Sequence, residues 1–455
     1  MIERPPSGPQ VVVIGAGVIG LSIAWTLAQR TPGDAASPGG GATCITVIDP
    51  DLALRSGASW VAGGMLAPVA EAHQTEPDLI ALGLASAARW PSFAEQLAVD
   101  AGLDDLIGPN TLVSTAAERV GLTRTGTLVV ARDADDAEEL GVLHHVQQRF
   151  GGVVERLTSR QARAKEPALA STIRGALWLP DDHQIDNRLL LDALRRACER
   201  SPSIELREGL VTSIDAFGID TSAETSVTVR LDDGRSIAAS SAVITSGAHS
   251  GGLAIHLPDG SMVPSLPVRP VKGQIVRVQA VASAVMPTRT VRGAEVYVIP
   301  RSHGEIAIGA TTEELGFDTR VTAGAVRELL DRAWELLPGL AEATFVEAVA
   351  GLRPGTPDNL PIIGEVAPGV IAATGHHRSG VLLAPITAGL VASLLGGRAG
   401  ADGTFLSDIE AAAFLQAVSP RRFPPGHSAR HDPLDSVAPT HVDAVRPMLS
   451  AGAVA

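Results

Sequence analysis

Four β-branched residues, Val11, Val12, Val13 and Ile14, run directly into Gly15-Ala16-Gly17-Val18-Ile19-Gly20 and then into an apolar, helix-length segment over 21–30. An unbroken β-branched run predicts a parallel strand buried on both faces, because a strand with one wet face alternates instead. Three glycines at this spacing between strand and helix form a dinucleotide-binding fingerprint. Gly15 permits the tight turn, Gly17 lets a pyrophosphate approach the backbone, and Gly20 lets helix and strand pack closely. The phosphates then meet the positive end of the helix. A chain that opens this way is confined to α/β architectures with a parallel sheet.

Residues 31–43 read TPGDAASPGGGAT, with four glycines and two prolines in thirteen positions. That composition predicts a flexible insertion before a second strand over 44–48. Asp49 ends this strand, 34 residues after Gly15, or 21 once the insertion is discounted. An acidic residue about twenty positions on accepts from a ribose hydroxyl in such units. The fingerprint does not by itself separate NAD from FAD.

The 455 residues suffice for two or three domains with a sizeable core. Basic residues number 36 against 50 acidic, the net charge is −14, and no Lys/Arg block of five occurs. Nucleic acid and anionic membrane surfaces are therefore poor partners. The stretch 11–28 is uncharged, but three glycines interrupt it and no small-residue cleavage site follows. It reads as a buried strand and helix rather than a leader or a membrane span. Two cysteines, Cys44 and Cys198, make neither a disulfide framework nor a thiolate metal site, and they suit a reducing cytoplasm. Neither HExxH nor CxxC occurs, so no metal site is expected.

Helices are expected over 77–101, 134–150, 188–199 and 323–337. Strands are expected near 127–130, 204–207, 227–231, 242–245, 273–278, 295–300, 305–309 and 370–373. The Asp232-Asp233-Gly234 turn reads as a link between strands 227–231 and 242–245. A loop over 374–380 leads into a final apolar helix. From residue 419 the last 37 residues hold six prolines and no aromatic after Phe423, which predicts a disordered tail.

After the second strand comes Ser59-Trp60-Val61-Ala62-Gly63-Gly64-Met65, where small residues and paired glycines let backbone pass close under a large planar ring. With this segment the sequence resembles the glycine oxidases of thiamine synthesis, within the D-amino-acid oxidase and sarcosine oxidase superfamily. The resemblance covers about 11–395. It rests on GAGVIG at 15–20, AGGMLAP at 62–68, PVKGQ at 270–274 and YVIPR at 297–301. The most specific motifs are GLRPGTPDNLPIIG at 351–364 and GHHRSGVLLAP at 375–385. The chain departs from the pattern in the 31–43 insertion, in Glu295 where relatives carry histidine, and in its tail.

The resemblance implies a two-domain α/β FAD-linked oxidoreductase fold. A Rossmann-like FAD domain with a parallel sheet would come from 8–89, 166–250 and 348–405. A substrate domain with a mixed or antiparallel sheet would come from 90–165 and 251–347, and 419–455 would be the tail. Val18 and Ile19 would lie along the pyrophosphate, and Asp49 and Pro50 at the adenosine ribose. Ala58, Ser59, Gly63, Gly64 and Met65 would lie near the rest of FAD, with Val211 at the adenine. His376, His377, Arg378, Ser379, Gly380, Val381 and Leu382 would run along the isoalloxazine. Because relatives that bind flavin covalently use a late cysteine and Cys198 is the last one here, FAD is expected to be non-covalent.

Arg353, in Gly-Leu-Arg-Pro, is the candidate for the substrate carboxylate, since a guanidinium fork matches a carboxylate bidentately. Tyr297, the one tyrosine, would add a second hydrogen bond, and Arg378 would close over substrate or pair with an acidic residue. His376 and His377 are read as mainly structural, because hydride transfer from a neutral amine needs no side-chain base. The implied reaction is oxidative deamination of glycine with O2 reduced to H2O2, in a cytoplasmic homotetramer. A D-amino-acid dehydrogenase, a sarcosine or other secondary-amine oxidase, and a non-catalytic flavin-binding protein stay open on sequence.

Overall fold

The computed structural model describes residues 2–3, 10–29, 43–71, 75–103, 115–217, 226–396 and 407–424. All but the last residue of the 31–43 insertion, and the tail beyond Pro424, lie outside these residues.

The first sheet has six strands, in the order Ile204–Glu208, Cys44–Asp49, Gln10–Ile14, Ser241–Ile244, Val370–Thr374, Ile362–Ala367. All pairings are parallel except the last. Gln10–Ile14 shows why its run is continuous. Val11 and Val13 pack with the helices Val18–Ala28, Asn187–Arg200 and Ala384–Leu394. Val12 and Ile14 pack on the opposite face against Ile214, Val229 and Ile237 of a five-stranded sheet. Both faces are dry, so both sets of side chains are apolar.

The second large sheet has eight strands, beginning with Thr344–Gly355, Arg269–Gln279, Glu305–Gly309, Tyr297–Pro300 and Thr290–Arg292. It continues through Thr127–Ala131, Gly175–Leu179 and Glu155–Thr158. It is mixed: only the pairing of Thr290–Arg292 with Thr127–Ala131 is parallel. One face packs on the helix Ala323–Leu336 through Leu329, Ala333 and Leu336.

The structure changes several expectations. The helix expected over 77–101 is two helices, Pro77–Ala87 and Trp90–Asp100. Pro91 sits in the first turn of the second, where its missing N–H is harmless, whereas inside one long helix its ring would clash with the preceding turn. The Asp232–Gly234 turn joins Val227–Leu231 to Ser236–Ala239, not to Ser241–Ile244, which crosses into the parallel sheet. A strand at Val211–Ala216 completes that meander and was not foreseen.

The expected exchange points also differ from the sheets. Trp90 and Phe93 pack in the first core, while Gly175–Leu179 and Thr344–Gly355 belong to the eight-stranded sheet. Described residues lie beyond 405 and beyond 419. Ser407 and Glu410 form a capping box for a helix at Asp408–Ala417. Pro420–Arg422 then docks as a short turn, with Arg422 Nε donating to Asp358 at 2.7 Å and Nη2 to the Leu360 carbonyl at 2.9 Å.

Candidate active site

A cavity of about 1540 Å³ lies between the carboxyl ends of the parallel strands and the open face of the eight-stranded sheet. Ligand pockets commonly hold roughly 300–1,000 Å³, so there is room for a dinucleotide with a small second molecule. Open α/β sheets bind their ligands at this edge.

The glycine-rich turn is shaped by contact. Gly15 has φ +112°, and a Cβ on Gly20 would fall 1.9 Å from the Gly15 carbonyl oxygen. Gly20 therefore stands behind the turn and is absent from the cavity wall, which Gly15, Gly17, Val18 and Ile19 form. Asp49 Oδ2 accepts from the Ala16 N–H at 2.7 Å and Oδ1 from the Asp51 N–H at 2.8 Å. Burial pushes its carboxyl upward, against the pull of those two N–H groups. Ser59 Oγ accepts from the Val18 N–H at 3.0 Å, tying the Gly57–Val61 helix to the turn. Pro50, Ala58, Ser59, Gly63, Gly64, Met65 and Val211 all line the cavity.

The far end is built by both sheets. His376 is buried, and its Nε2 lies 3.0 Å from Thr387 Oγ1. Burial pulls its pKa down to about 3, so it stays neutral and is a poor proton acceptor. The segment that follows is a tight turn at His377–Ser379, with His377 at φ +46°. His377, Arg378, Gly380 and Val381 reach the cavity. Ser379 and Leu382 do not: they border a separate small pocket, and the Leu382 carbonyl accepts from Ser86 Oγ and Trp90 Nε1. The helix Ala384–Leu394 starts just beyond, its positive end toward the cavity.

Arg353 and Tyr297 sit on the cavity face of the eight-stranded sheet. Arg353 Nη1 donates to the Thr311 carbonyl at 3.0 Å and to the Lys272 carbonyl at 3.5 Å. Among the described residues it makes no ion pair. Burial raises the Tyr297 hydroxyl above its ordinary range, with the Arg353 charge opposing. Arg378 instead pairs with the Glu76 carboxylate, the second of its two expected roles. Glu295 pairs with Arg332 at 3.2 Å at the cavity edge. Neither Cys44 nor Cys198 lines the cavity, and Cys198 is buried with its sulfur 3.7 Å from the Leu21 carbonyl.

Two contributions escaped the sequence. Glu71 and Arg292 form a 2.9 Å ion pair in the wall, and Gly273 gives the Arg353 guanidinium its space. Gly273 carried a signal in PVKGQ, but Glu71 and Arg292 are far apart in sequence and nothing in their neighbours couples them.

A parallel sheet with its glycine-rich turn facing a mixed sheet that carries a free guanidinium defines a dinucleotide-dependent oxidoreductase of two-sheet design. The chain belongs to the FAD dependent oxidoreductase family, whose profile matches residues 10–394. It is 33% identical over 389 residues to a glycine oxidase of Geobacillus kaustophilus, covering 85% of this chain and 92% of that protein. It is 31% identical to a bifunctional protein ThiO/ThiG of Synechocystis, covering 94% of this chain but 57% of that protein. The crystal structure of glycine oxidase from Geobacillus kaustophilus superposes with a TM-score of 0.71 at 31% identity, over 92% of this chain and all of the other. The cofactor is FAD, and the glycine-rich turn at 15–19 and the 63–64 backbone line a cavity large enough for it. Packing against the Ile185 carbonyl (2.0 Å from a Cβ on Gly64) and the Tyr297 ring (2.9 Å from one on Gly63) admits only glycine in that wall.

Proposed function

We propose that this protein is an oxidase of glycine and similarly small amines, producing the imino acid and H2O2 and supplying thiazole assembly in thiamine synthesis. One observation carries the substrate assignment. Arg353 presents a guanidinium at the cavity wall, held by two backbone carbonyls and by no carboxylate. Its charge is thereby left for a substrate carboxylate, and the fork fixes the α-carbon in one orientation. Tyr297, in the same wall, donates a second hydrogen bond to that carboxylate. FAD, when bound, would supply the hydride acceptor that O2 reoxidises. The turn over 376–382 and the positive end of Ala384–Leu394 favour the negative charge that develops there. His376, neutral and tied to Thr387, holds the turn in place and takes no proton.

The FAD-binding unit consists, on this reading, of the six- and five-stranded sheets with their helices, and the substrate unit of the eight-stranded sheet with Ala323–Leu336. FAD is held without a covalent bond, since no cysteine reaches the cavity. Among the described residues no helix is long and apolar enough to cross a membrane. A cytoplasmic homotetramer completes the proposal.

The test is anaerobic bleaching of the bound flavin by glycine, sarcosine and D-proline, followed by readmission of air with peroxide measured. Rapid bleaching by glycine and stoichiometric peroxide are expected. Bleaching confined to D-proline, or electrons that pass to dyes but not to O2, would sink the glycine oxidase assignment.

A further inference from the structure

Arg301, the last residue of the YVIPR motif, is 6% exposed and does not line the cavity. Its Nη1 donates to Gln184 Oε1 at 2.8 Å and to the Ile185 carbonyl at 2.9 Å. Its Nη2 donates to the Gly63 carbonyl at 2.5 Å and to Asn187 Oδ1 at 3.3 Å. A Cβ on Gly64 would lie 3.4 Å from that same Nη2, so the guanidinium presses against the back of the Gly63-Gly64 wall. Among the described residues no carboxylate lies within ion-pair distance of it. Asp186 and Glu305 are its acidic neighbours, both beyond ion-pair distance, and Asp186 also accepts from the Arg188 and Leu189 N–H groups at the start of Asn187–Arg200. The other buried guanidinium, Arg277, is neutralised by Glu305.

Asn187 extends the arrangement. Its Nδ2 donates to the Ser59 carbonyl at 2.9 Å and to the Trp60 carbonyl at 2.8 Å. The carbonyls of Ser59, Trp60 and Gly63 are thus all drawn to one buried cluster on the side away from the cavity. A buried charge without a direct ion-pair partner is costly, and its field acts on whatever sits across the glycine wall.

We propose that Arg301 is a positioning residue that acts through the Gly63-Gly64 backbone to raise the reduction potential of bound FAD. The proposal rests on FAD occupying the cavity, and it is independent of which amine is oxidised. Reduction makes the cofactor more negative, so a positive charge behind that wall, with no direct ion-pair partner, would stabilise the reduced state over the oxidised one. No carboxylate among the described residues pairs with it at ion-pair distance, and the glycine backbone is what stands between it and the cavity.

Midpoint potentials are measured on purified holoenzyme by equilibration with redox dyes, alongside FAD content and visible spectra. Arg301→Met and Arg301→Gln are expected to shift the reduction equilibrium at least tenfold against the reduced state, about 30 mV for a two-electron couple. Arg301→Lys, which keeps the charge on a different donor geometry, is expected to recover more than half of that shift. A wild-type potential in Arg301→Met, or equal potentials in the Lys and Gln variants, overturns the proposal and leaves Arg301 a purely structural clamp. Loss of FAD from all three variants, lysine included, overturns it too, because the charge would not be what matters. Where Arg301→Met does not fold, the Lys and Gln pair decides. Wild-type protein that purifies without FAD would instead defeat the functional reading, before any variant is compared.

Discussion

The Arg353 guanidinium lies flat against Gly273: a Cβ placed on that glycine would stand 2.4 Å from Nη1 and 2.5 Å from Nη2. Two neighbouring strands thus share one layer, the long side chain of one filling the space that the other leaves empty. Gly273→Ala therefore moves the far end of a flexible side chain rather than backbone. Its melting temperature should stay within a few degrees of wild type, while kcat/KM for glycine falls by about tenfold or more, since 1.4 kcal/mol of lost alignment suffices for that. Unchanged kcat/KM would show that the position of Arg353 does not matter to the reaction.

Arg353→Leu removes a charge-assisted bidentate contact worth roughly 2–5 kcal/mol. The loss in kcat/KM for glycine should be about 30- to several-thousand-fold, and Arg353→Lys should also be poor because an ammonium has no planar fork. Ethylamine has no carboxylate, so its slow oxidation should be nearly unaffected by Arg353→Leu. Equal harm to ethylamine and glycine would mean that Arg353 holds the flavin or the fold.

Tyr297→Phe keeps the ring that packs on Gly63 and Gly309 and deletes one hydroxyl. One neutral hydrogen bond is worth about 0.5–1.5 kcal/mol, so a two- to twelvefold loss in kcat/KM is expected. The protein should remain yellow. A loss of FAD in this variant would show that the hydroxyl serves the cofactor.

His376 carries a pH dependence whose sign is fixed by its burial. Its folded pKa, about 3, lies below the ordinary 6.5, so the unfolded chain binds the extra proton. The stability tied to the neutral ring is complete above pH 6.5 and is lost as pH falls toward 3, at about 1.4 kcal/mol per unit. His376→Gln should therefore show a shallower decline of melting temperature between pH 6.5 and 4.5 than wild type. Parallel declines would mean that the imidazole is reached by solvent protons in the folded state.

Arg422 ties the residues after the Asp408–Ala417 helix to the Asp358–Leu360 loop through Nε and Nη2, while Nη1 donates to the Val418 and Ser419 carbonyls of its own segment. Arg422→Ala should cost about 1–3 kcal/mol, read as a lower melting temperature with kcat/KM for glycine unchanged. An unchanged melting temperature would show that this docked segment adds nothing to the fold.

Local chemistry made part of this protein legible in its sequence. Four β-branched residues followed by Gly15, Gly17 and Gly20 determined a doubly buried strand, a tight turn and a helix, because each constraint acts within a few residues. The place of Asp49 at the end of the second strand was legible for the same reason, once the insertion was set aside. Arg353, Tyr297 and the 375–385 motif were singled out by the character of their own segments. Long-range packing decided the rest. Pro91 breaks a helix pattern that periodicity alone continues, and Ser236–Ala239 pairs where a later strand was expected. Leu382 turns its carbonyl to Ser86 and Trp90, and so leaves the cavity that its neighbours line. The partnerships of Arg378 with Glu76, Arg292 with Glu71 and Arg301 with the Gly63 carbonyl join positions hundreds of residues apart. Which guanidinium is neutralised and which is left free depends on distances that no local pattern encodes, and only the packing of the two sheets sets them.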